Sequence, residues 1–537
     1  MYRKYFISGI SAVLLMFMLQ ACGSSGSTGS GDSKAMGAVS VALTDGPGDC
    51  DHVWITVSDI WFHKGDGADP GQQGGWIKAP LAAPVTVDLL TLGNGNAQSI
   101  WDSIALPAGT YKQIRLVLVD TEDPLTASAQ IANNNATLKY NNEVVVNGVE
   151  CPLHVPDARH GIRLIGAFNV TEGGTLKLAI DFDAGQDVVE FRNGQDYILK
   201  PRLAYFDLDN VGAIVGRISL SSGQSYTAPR FVIKAEQLNA DGTYHMVKRY
   251  TTPDATGRFV LYPLSAMTAT TYDLVLRGLD YQTIILKGVP VSRGATPTSG
   301  ATDLGTIAMT AAVSPDYSLD GTITSPTGAW VSFYQTLQGA GEVPYEIRFR
   351  HFNPLNGTFP AFRLSSDQIQ VASYMTSTIM SGLTATSPVG GNGVFGAVAG
   401  ALMYAPGVPQ LVSSGTVTVA FSSLSPKVPA TACGISGVIS RPSTTRAMSM
   451  DGGRVFAVHG GMIVDAIPMS SQMMSGGSYS LSNLPGGSTA NPLTGAFYGV
   501  EAIGWSSTTS ARAIAMPGIA DLRTGDAAVD INLMMLP

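Results

Sequence analysis

The chain has 537 residues, of which 13% are charged, about half the usual share. Its 32 basic and 40 acidic residues leave a net charge of −8, and no basic block follows the first few residues, so a nucleic-acid-binding surface is excluded. A chain this long divides into several domains, and its wealth of Gly, Ser, Thr and Ala suits extended β-rich modules.

The first element is an export signal. Arg3 and Lys4 precede an apolar run from Ile7 to Leu19, too short to span a bilayer core that takes ~20 helical residues. It ends in Leu19-Gln20-Ala21-Cys22, which resembles the bacterial lipobox, where a signal peptidase cuts before a cysteine that carries diacylglycerol. Lipidation at Cys22 is therefore expected, and two or three acyl chains, palmitate among them, make a stable membrane anchor where one would not. Residues 1–21 are the signal peptide and 22–36 a Gly/Ser tether. Gly23 stands where an aspartate would resemble an inner-membrane retention signal, so the expected address is the cell envelope, at the outer membrane.

From Gly37 onward the periodicity is that of strands. In Thr175–Asp183, Leu176, Leu178, Ile180 and Phe182 fall on one face and Lys177, Asp181 and Asp183 on the other. The same alternation sets Tyr345, Ile347 and Phe349 against Glu346, Arg348 and Arg350, and Val529, Ile531 and Leu533 against Asp530 and Asn532. Helix is predicted only around Ser99 to Leu106 and from Asp367 to Met380, and the glycine-rich Gly393 to Ala405 reads as a tight strand pair or loop. The fold class is mainly β, a multidomain array of antiparallel β-sandwiches behind a lipoprotein signal peptide.

Internal repeats divide the array. Val215-Gly216-Arg217-Ile218-Ser219, Asp320-Gly321-Thr322-Ile323-Thr324 and Ser436-Gly437-Val438-Ile439-Ser440 share x-Gly-x-Ile-Ser/Thr, each about one domain length from the next. A second element follows the first and last openings, Gly257-Arg258-Phe259-Val260-Leu261 and Gly477-Ser478-Tyr479-Ser480-Leu481; the middle copy offers only Asn356-Gly357-Thr358-Phe359. The resulting domains are 37–210, 211–312, 313–432 and 433–537. Leading from the anchor, the first sits nearest the membrane and the last projects farthest.

The paired motifs in 211–312 and 433–537 resemble carboxypeptidase regulatory-like and prealbumin-like domains, which implies small seven-stranded β-sandwiches and, through their likeness to starch-binding folds, carbohydrate as a ligand class; 313–432 is a diverged copy. In the first domain, Gly37-Ala38-Val39-Ser40-Val41-Ala42-Leu43-Thr44-Asp45-Gly46-Pro47, Leu106-Pro107-Ala108-Gly109-Thr110-Tyr111, Asp181-Phe182-Asp183-Ala184 and Tyr197-Ile198-Leu199-Lys200-Pro201 resemble the bacterial lipoprotein family known as domain of unknown function 4382. That resemblance implies an exported β-domain and no mechanism.

Chemistry-bearing residues are sparse. In an exported chain Cys50 and Cys151, both in turn-like settings, are the expected disulfide, and Cys433 is an odd, buried thiol. Asp45, Asp181, Asp183, Asp207 and Asp209 are the carboxylates that would hold a metal, calcium being the cation such loops admit, as would the loop Asp66-Gly67-Ala68-Asp69; the default is a solvated surface, with no cofactor. No Gly-x-Ser-x-Gly, His-Glu-x-x-His or Cys-x-x-Cys occurs. The leading reading is a non-catalytic, lipid-anchored envelope protein whose partners are the membrane and a glycan or envelope protein, with Trp76, Trp101, Trp330 and Trp505 as candidate sugar platforms. The alternatives are a metal-dependent hydrolase built on first-domain carboxylates and histidines, and a purely structural envelope component.

Overall fold

The computed structural model describes residues 35–535 except 49, 68–73, 134–136, 193, 221–225, 227–230, 268–269, 376–381, 414, 428–429, 442–449, 475 and 507–511. The signal peptide, Cys22 and the tether up to Lys34 lie outside the described residues, as does Asp69 of the acidic loop.

The described residues are β throughout, with helix among them confined to single turns. In the first domain, a four-stranded sheet ordered Ala204–Asp207, Thr175–Asp183, Met36–Gly46 and Gln98–Pro107 faces an eight-stranded sheet centred on His52–His63. Between them lie Val39, Val41 and Leu43 of the first strand and Leu178, Ile180 and Phe182 of Thr175–Asp183, all at most 1% exposed. That is the alternation read from the sequence, and it leaves Thr44, Asp181 and Asp183 at the far end and outer face.

The three repeats share one topology, the diverged copy included. Each opening strand (Val211–Ser219, Tyr317–Ile323, Thr431–Ser440) pairs antiparallel with its Gly-x-aromatic strand and parallel with the closing strand of its domain. The registers Gly216↔Phe259, Gly321↔Phe359 and Gly437↔Tyr479 explain the repeated glycine. A Cβ at Gly216 would stand 2.6 Å from the Phe259 ring, at Gly321 2.3 Å from Phe359, and at Gly437 3.0 Å from Tyr479. The ring of one motif lies over the glycine of the other, so the two must occur together. Opposite the small sheet of the third domain lies an antiparallel one, Tyr345–His351, Trp330–Gln335, Phe395–Gly400 and Gln410–Val412 in that order; in the fourth domain the strands join into one eight-stranded sheet. The repeats are thus mixed, each with parallel as well as antiparallel pairing.

Four expectations are corrected. Ser99 to Leu106 is strand: a bulge in the pairing of Val39 with Ile104 and Val41 with Trp101 turns two side chains three residues apart to one face, imitating helical spacing. Asp367 to Met380 begins as the strand Ile369–Ser373, its last part lying outside the described residues. This strand does not stay in its own domain; it pairs parallel with Ile284–Pro290 and, with Thr384–Thr386, extends the second domain's sheet, so the boundary at 312/313 is not clean. The array is also not a row. Phe191 and Ile198 of the first domain pack with Phe456, Val458, Ile463 and Ile503 of the fourth, Arg163 Nη1 lies 2.8 Å from His459 Nε2, and the third and fourth domains share one apolar core.

The exchanged strand yields the first prediction. Ile369 is 1% exposed, so Ile369→Ala is expected to cost about 2–5 kcal/mol. Because the strand it anchors belongs to the second domain's sheet, the second and third domains are expected to unfold in one calorimetric transition, shifted as a whole by the substitution. Two resolved transitions, only one of them shifted, would contradict the pairing.

Candidate functional site

The outer face of Thr175–Asp183 was expected to be wet; Lys177 is, but the second domain covers the Asp181 and Asp183 end. Strand His245–Thr251 lies across it, and Arg249, 4% exposed, donates from Nη1 to Asp181 and from Nη2 to Thr44 Oγ1 at 3.0 Å and to the Asp45 carbonyl at 2.8 Å. The hydroxyl of Tyr250 donates to Asp183 and sits 3.1 Å from the Pro47 carbonyl. Gly46 and Gly185 make room for that ring, since a Cβ at either would stand 2.9 or 2.8 Å from it.

Behind this contact three carboxyls gather. Asp45, fully buried, accepts from Ala184 N at 2.9 Å through Oδ1, while its Oδ2 has no partner. Asp187, also fully buried, accepts from Arg202 N at 3.0 Å and Asp183 N at 3.3 Å through Oδ2, and its Oδ1 has no partner. Burial first, and then the proximity of Asp183, hold both well above the usual carboxylate range. Asp183 itself is pushed up to about 7 by burial, against the opposing pull of Tyr250 and Arg202.

The third domain closes the junction. Lys200, fully buried, donates to the Gly328 carbonyl at 3.3 Å, and burial lowers its pKa to about 7. Lys234 of the second domain pairs with Glu346 at 3.2 Å, whose other oxygen accepts from Ser332 at 2.9 Å. Ion pairs this deep lose most of their attraction to desolvation, so they specify how the domains fit more than they stabilise them.

Beside these contacts opens a cavity of about 240 Å³, lined by Asp181, Asp183, Arg202, Lys248, Arg249, Tyr250 and Glu346. Tyr244, Trp330, Ser332 and Tyr334 form one of its walls and also one wall of an apolar groove of about 550 Å³ on the outer face of the third domain's antiparallel sheet. The two adjoin across these shared residues. Across that sheet Tyr334 faces Gly396, which faces Leu411, while Trp330 faces Gly400. The Trp330 indole covers Gly400, 2.8 Å from where its Cβ would stand, but nothing lies within 4 Å of a Cβ at Gly396. The groove floor is open there, and Gly393 to Ala405, expected as strand or loop, supplies it.

The remaining sequence candidates lie apart. Asp207 caps the turn Leu208–Asn210 by accepting from Asp209 N at 3.1 Å, and Asp209 pairs with Lys177 at 3.2 Å. Asp45, Asp181 and Asp183 come together, but with protein partners, and among the described residues no three His, Cys, Asp or Glu side chains are placed to hold a metal ion. Cys50 and Cys151 are both thiols in the structure and both lie by Tyr197, and the Cys151 thiol donates to the Gly194 carbonyl at 3.4 Å. Cys433 is buried, as expected. The first-domain histidines disperse: His52 pairs with Asp88, His154 sits between Glu122 and Asp196, His160 pairs with Asp157, and His63 bonds to backbone. Trp101 is core, Trp76 packs on Trp61 and His63, and Trp505 meets Phe191 edge-on; Trp330 alone of the four lines the cleft.

Sequence reasoning missed Arg202, Lys234, Lys248, Arg249, Tyr250 and Glu346. The available signal was Phe231-Val232-Ile233-Lys234-Ala235-Glu236, where charges enter an apolar strand on one face. Alternation cannot distinguish a wet face from one that another domain covers with opposite charge.

A carboxyl with a native pKa near 7 and an unfolded value near 3.9 keeps its proton longer in the folded chain, so its contribution to stability falls as pH rises between the two. Asp183→Asn removes that slope and leaves those of the other groups. The stability of the variant relative to the parent is expected to increase from pH 5 to pH 8 in urea unfolding; a difference independent of pH would contradict the burial of this carboxyl.

No curated protein matches the chain. Among solved structures it is similar to the Bacillus anthracis TIE protein (9% identity, 95% of this chain and 76% of that one, TM-score 0.15). It is also similar to the shaft pilin SpaA of Lactobacillus rhamnosus GG (9%, 41% and 97%, TM-score 0.17) and to two B repeat units of the collagen-binding protein of Staphylococcus aureus (8%, 93% and 98%, TM-score 0.13). Likenesses at these scores say nothing of function. The first domain, over residues 36–201, matches the family model described as Domain of unknown function (DUF4382).

Proposed function

We propose that this chain is a non-catalytic protein of the cell envelope, lipid-anchored through Cys22 at the outer membrane, whose interlocked β-domains build a cleft for a ligand. The observation that carries this reading is the adjoining cavity and groove at the junction of three domains, which share Tyr244, Trp330 and Tyr334 as a wall and are preformed by buried contacts. The acids beside it support binding over hydrolysis, because Asp181 is engaged by Arg249, Asp183 by Tyr250 and Glu346 by Lys234. A glycan or an envelope lipid is the ligand class the wall of rings admits, as rings stack on sugar faces and pack on alkyl chains.

The anchor and the cleft are tested separately. Cys22→Ser is expected to move the chain from the membrane to the soluble fraction of the expressing cell and to abolish incorporation of labelled palmitate; retention of both would remove the anchor. For the cleft, native mass spectrometry and thermal shift of the purified chain against envelope glycans and lipids are expected to find a ligand that raises the unfolding temperature. Absence of any bound species across the panel would leave a structural component in place of a binding one.

A further inference from the structure

Not every cation at the cleft is held in an ion pair, although Arg202 draws on the buried Asp183 and Asp187 from a distance. The three carboxylates lining the cavity each have a protein partner, whereas two cations there, Arg202 and Lys248, are ion-paired to no carboxylate among the described residues. The Arg202 guanidinium lies over the Phe349 ring at 4.4 Å and near Trp330 at 5.8 Å, and the Lys248 ammonium has the Met246 sulfur at 4.0 Å. Burial lowers the pKa of Lys248, an effect an anion beside it would reverse.

The adjoining groove has the opposite character. Its floor is the unfilled space over Gly396, flanked by Tyr334 and by Leu411, which is 78% exposed, and its walls are Val389, Val398 and the prolines near 406. Thr243, Ser332, Gln335 and Thr336 add a few polar groups to the lining, but the Gly396 floor and the Val389, Val398 and Leu411 sides are apolar and gain from every methylene that covers them. Cations at one end and an open aliphatic trough at the other, joined past Trp330 and Tyr334, match a ligand with an anionic head and an alkyl tail.

Resting on the ligand-binding reading above, we infer that the cleft takes an acidic amphiphile, its carboxylate or phosphate head between Arg202 and Lys248 and its chain along the Gly396 floor. The head pairs with two cations of different geometry, and the tail covers an apolar sheet face that otherwise stays in water.

The test uses the full chain carrying Cys22→Ser and the fluorescent C18 probe cis-parinaric acid. Saturable binding is expected, at least about tenfold weaker for the methyl ester, and Arg202→Gln with Lys248→Gln is expected to bring the acid down to the ester's affinity. Gly396→Trp, which fills the floor, and Leu411→Asp, an exposed position that leaves the core untouched, are each expected to weaken both probes by tenfold or more with the unfolding temperature unchanged. Flotation with phosphatidylglycerol vesicles, lost in the double-glutamine variant, would place the head in a bilayer; free-acid binding without flotation would place it on a soluble amphiphile. Equal binding of acid and ester, or indifference to both groove substitutions, overturns the inference. If the acid fails to bind while another ligand is displaced by Gly396→Trp, the amphiphile falls and the binding cleft stands; if nothing binds, both fall.

Discussion

The placement of the domains depends on one buried guanidinium. Arg249 leaves the second domain and reaches Asp181, Thr44 and the Asp45 carbonyl of the first, with no more than 4% of its surface in water. A buried cation that loses its partner is left at a cost of several kcal/mol, so the domains have one tolerable way of meeting here. Everything around it follows that constraint. Tyr250, one residue on, reaches Asp183 over two glycines; Lys234 and Glu346 repeat the device between the second and third domains; and Lys200 ties the first domain to the third. The cleft is the space these contacts leave open.

Much of this was legible in the sequence, for particular physical reasons. The repeated x-Gly-x-Ile and Gly-x-Phe/Tyr motifs are two halves of one packing unit, a ring over a missing Cβ, and such a unit survives divergence because neither half can change alone. That is why Asn356-Gly357-Thr358-Phe359, thin as it looked, marked a true third copy. The alternation of Leu178, Ile180 and Phe182 likewise named the first core.

What was not legible lies on outer faces. The alternation that assigns Asp181, Asp183 and Glu346 to a polar side is correct, yet it carries no information about what covers that side. Three-residue spacing misled at Trp101 and Ile104, where a bulge makes a strand imitate a helix. The strand Ile369–Ser373 crosses into a neighbouring sheet, a long-range pairing that no local pattern encodes. The same applies to the fold-back of the fourth domain onto the first through Phe191 and Phe456, which replaces an extended row with a closed body.

The cleft itself lies among the first three domains, and its placement stands or falls with the Arg249–Asp181 contact. The most direct measurement is a double-mutant cycle in urea, comparing Arg249→Met, Asp181→Asn and the two together. If the pair is the buried lock described, each single change costs about 3 kcal/mol or more, by stranding the other group, and the double variant is no less stable than the weaker single one. If the costs simply add, the two residues do not depend on each other, and the domains are held together by something else.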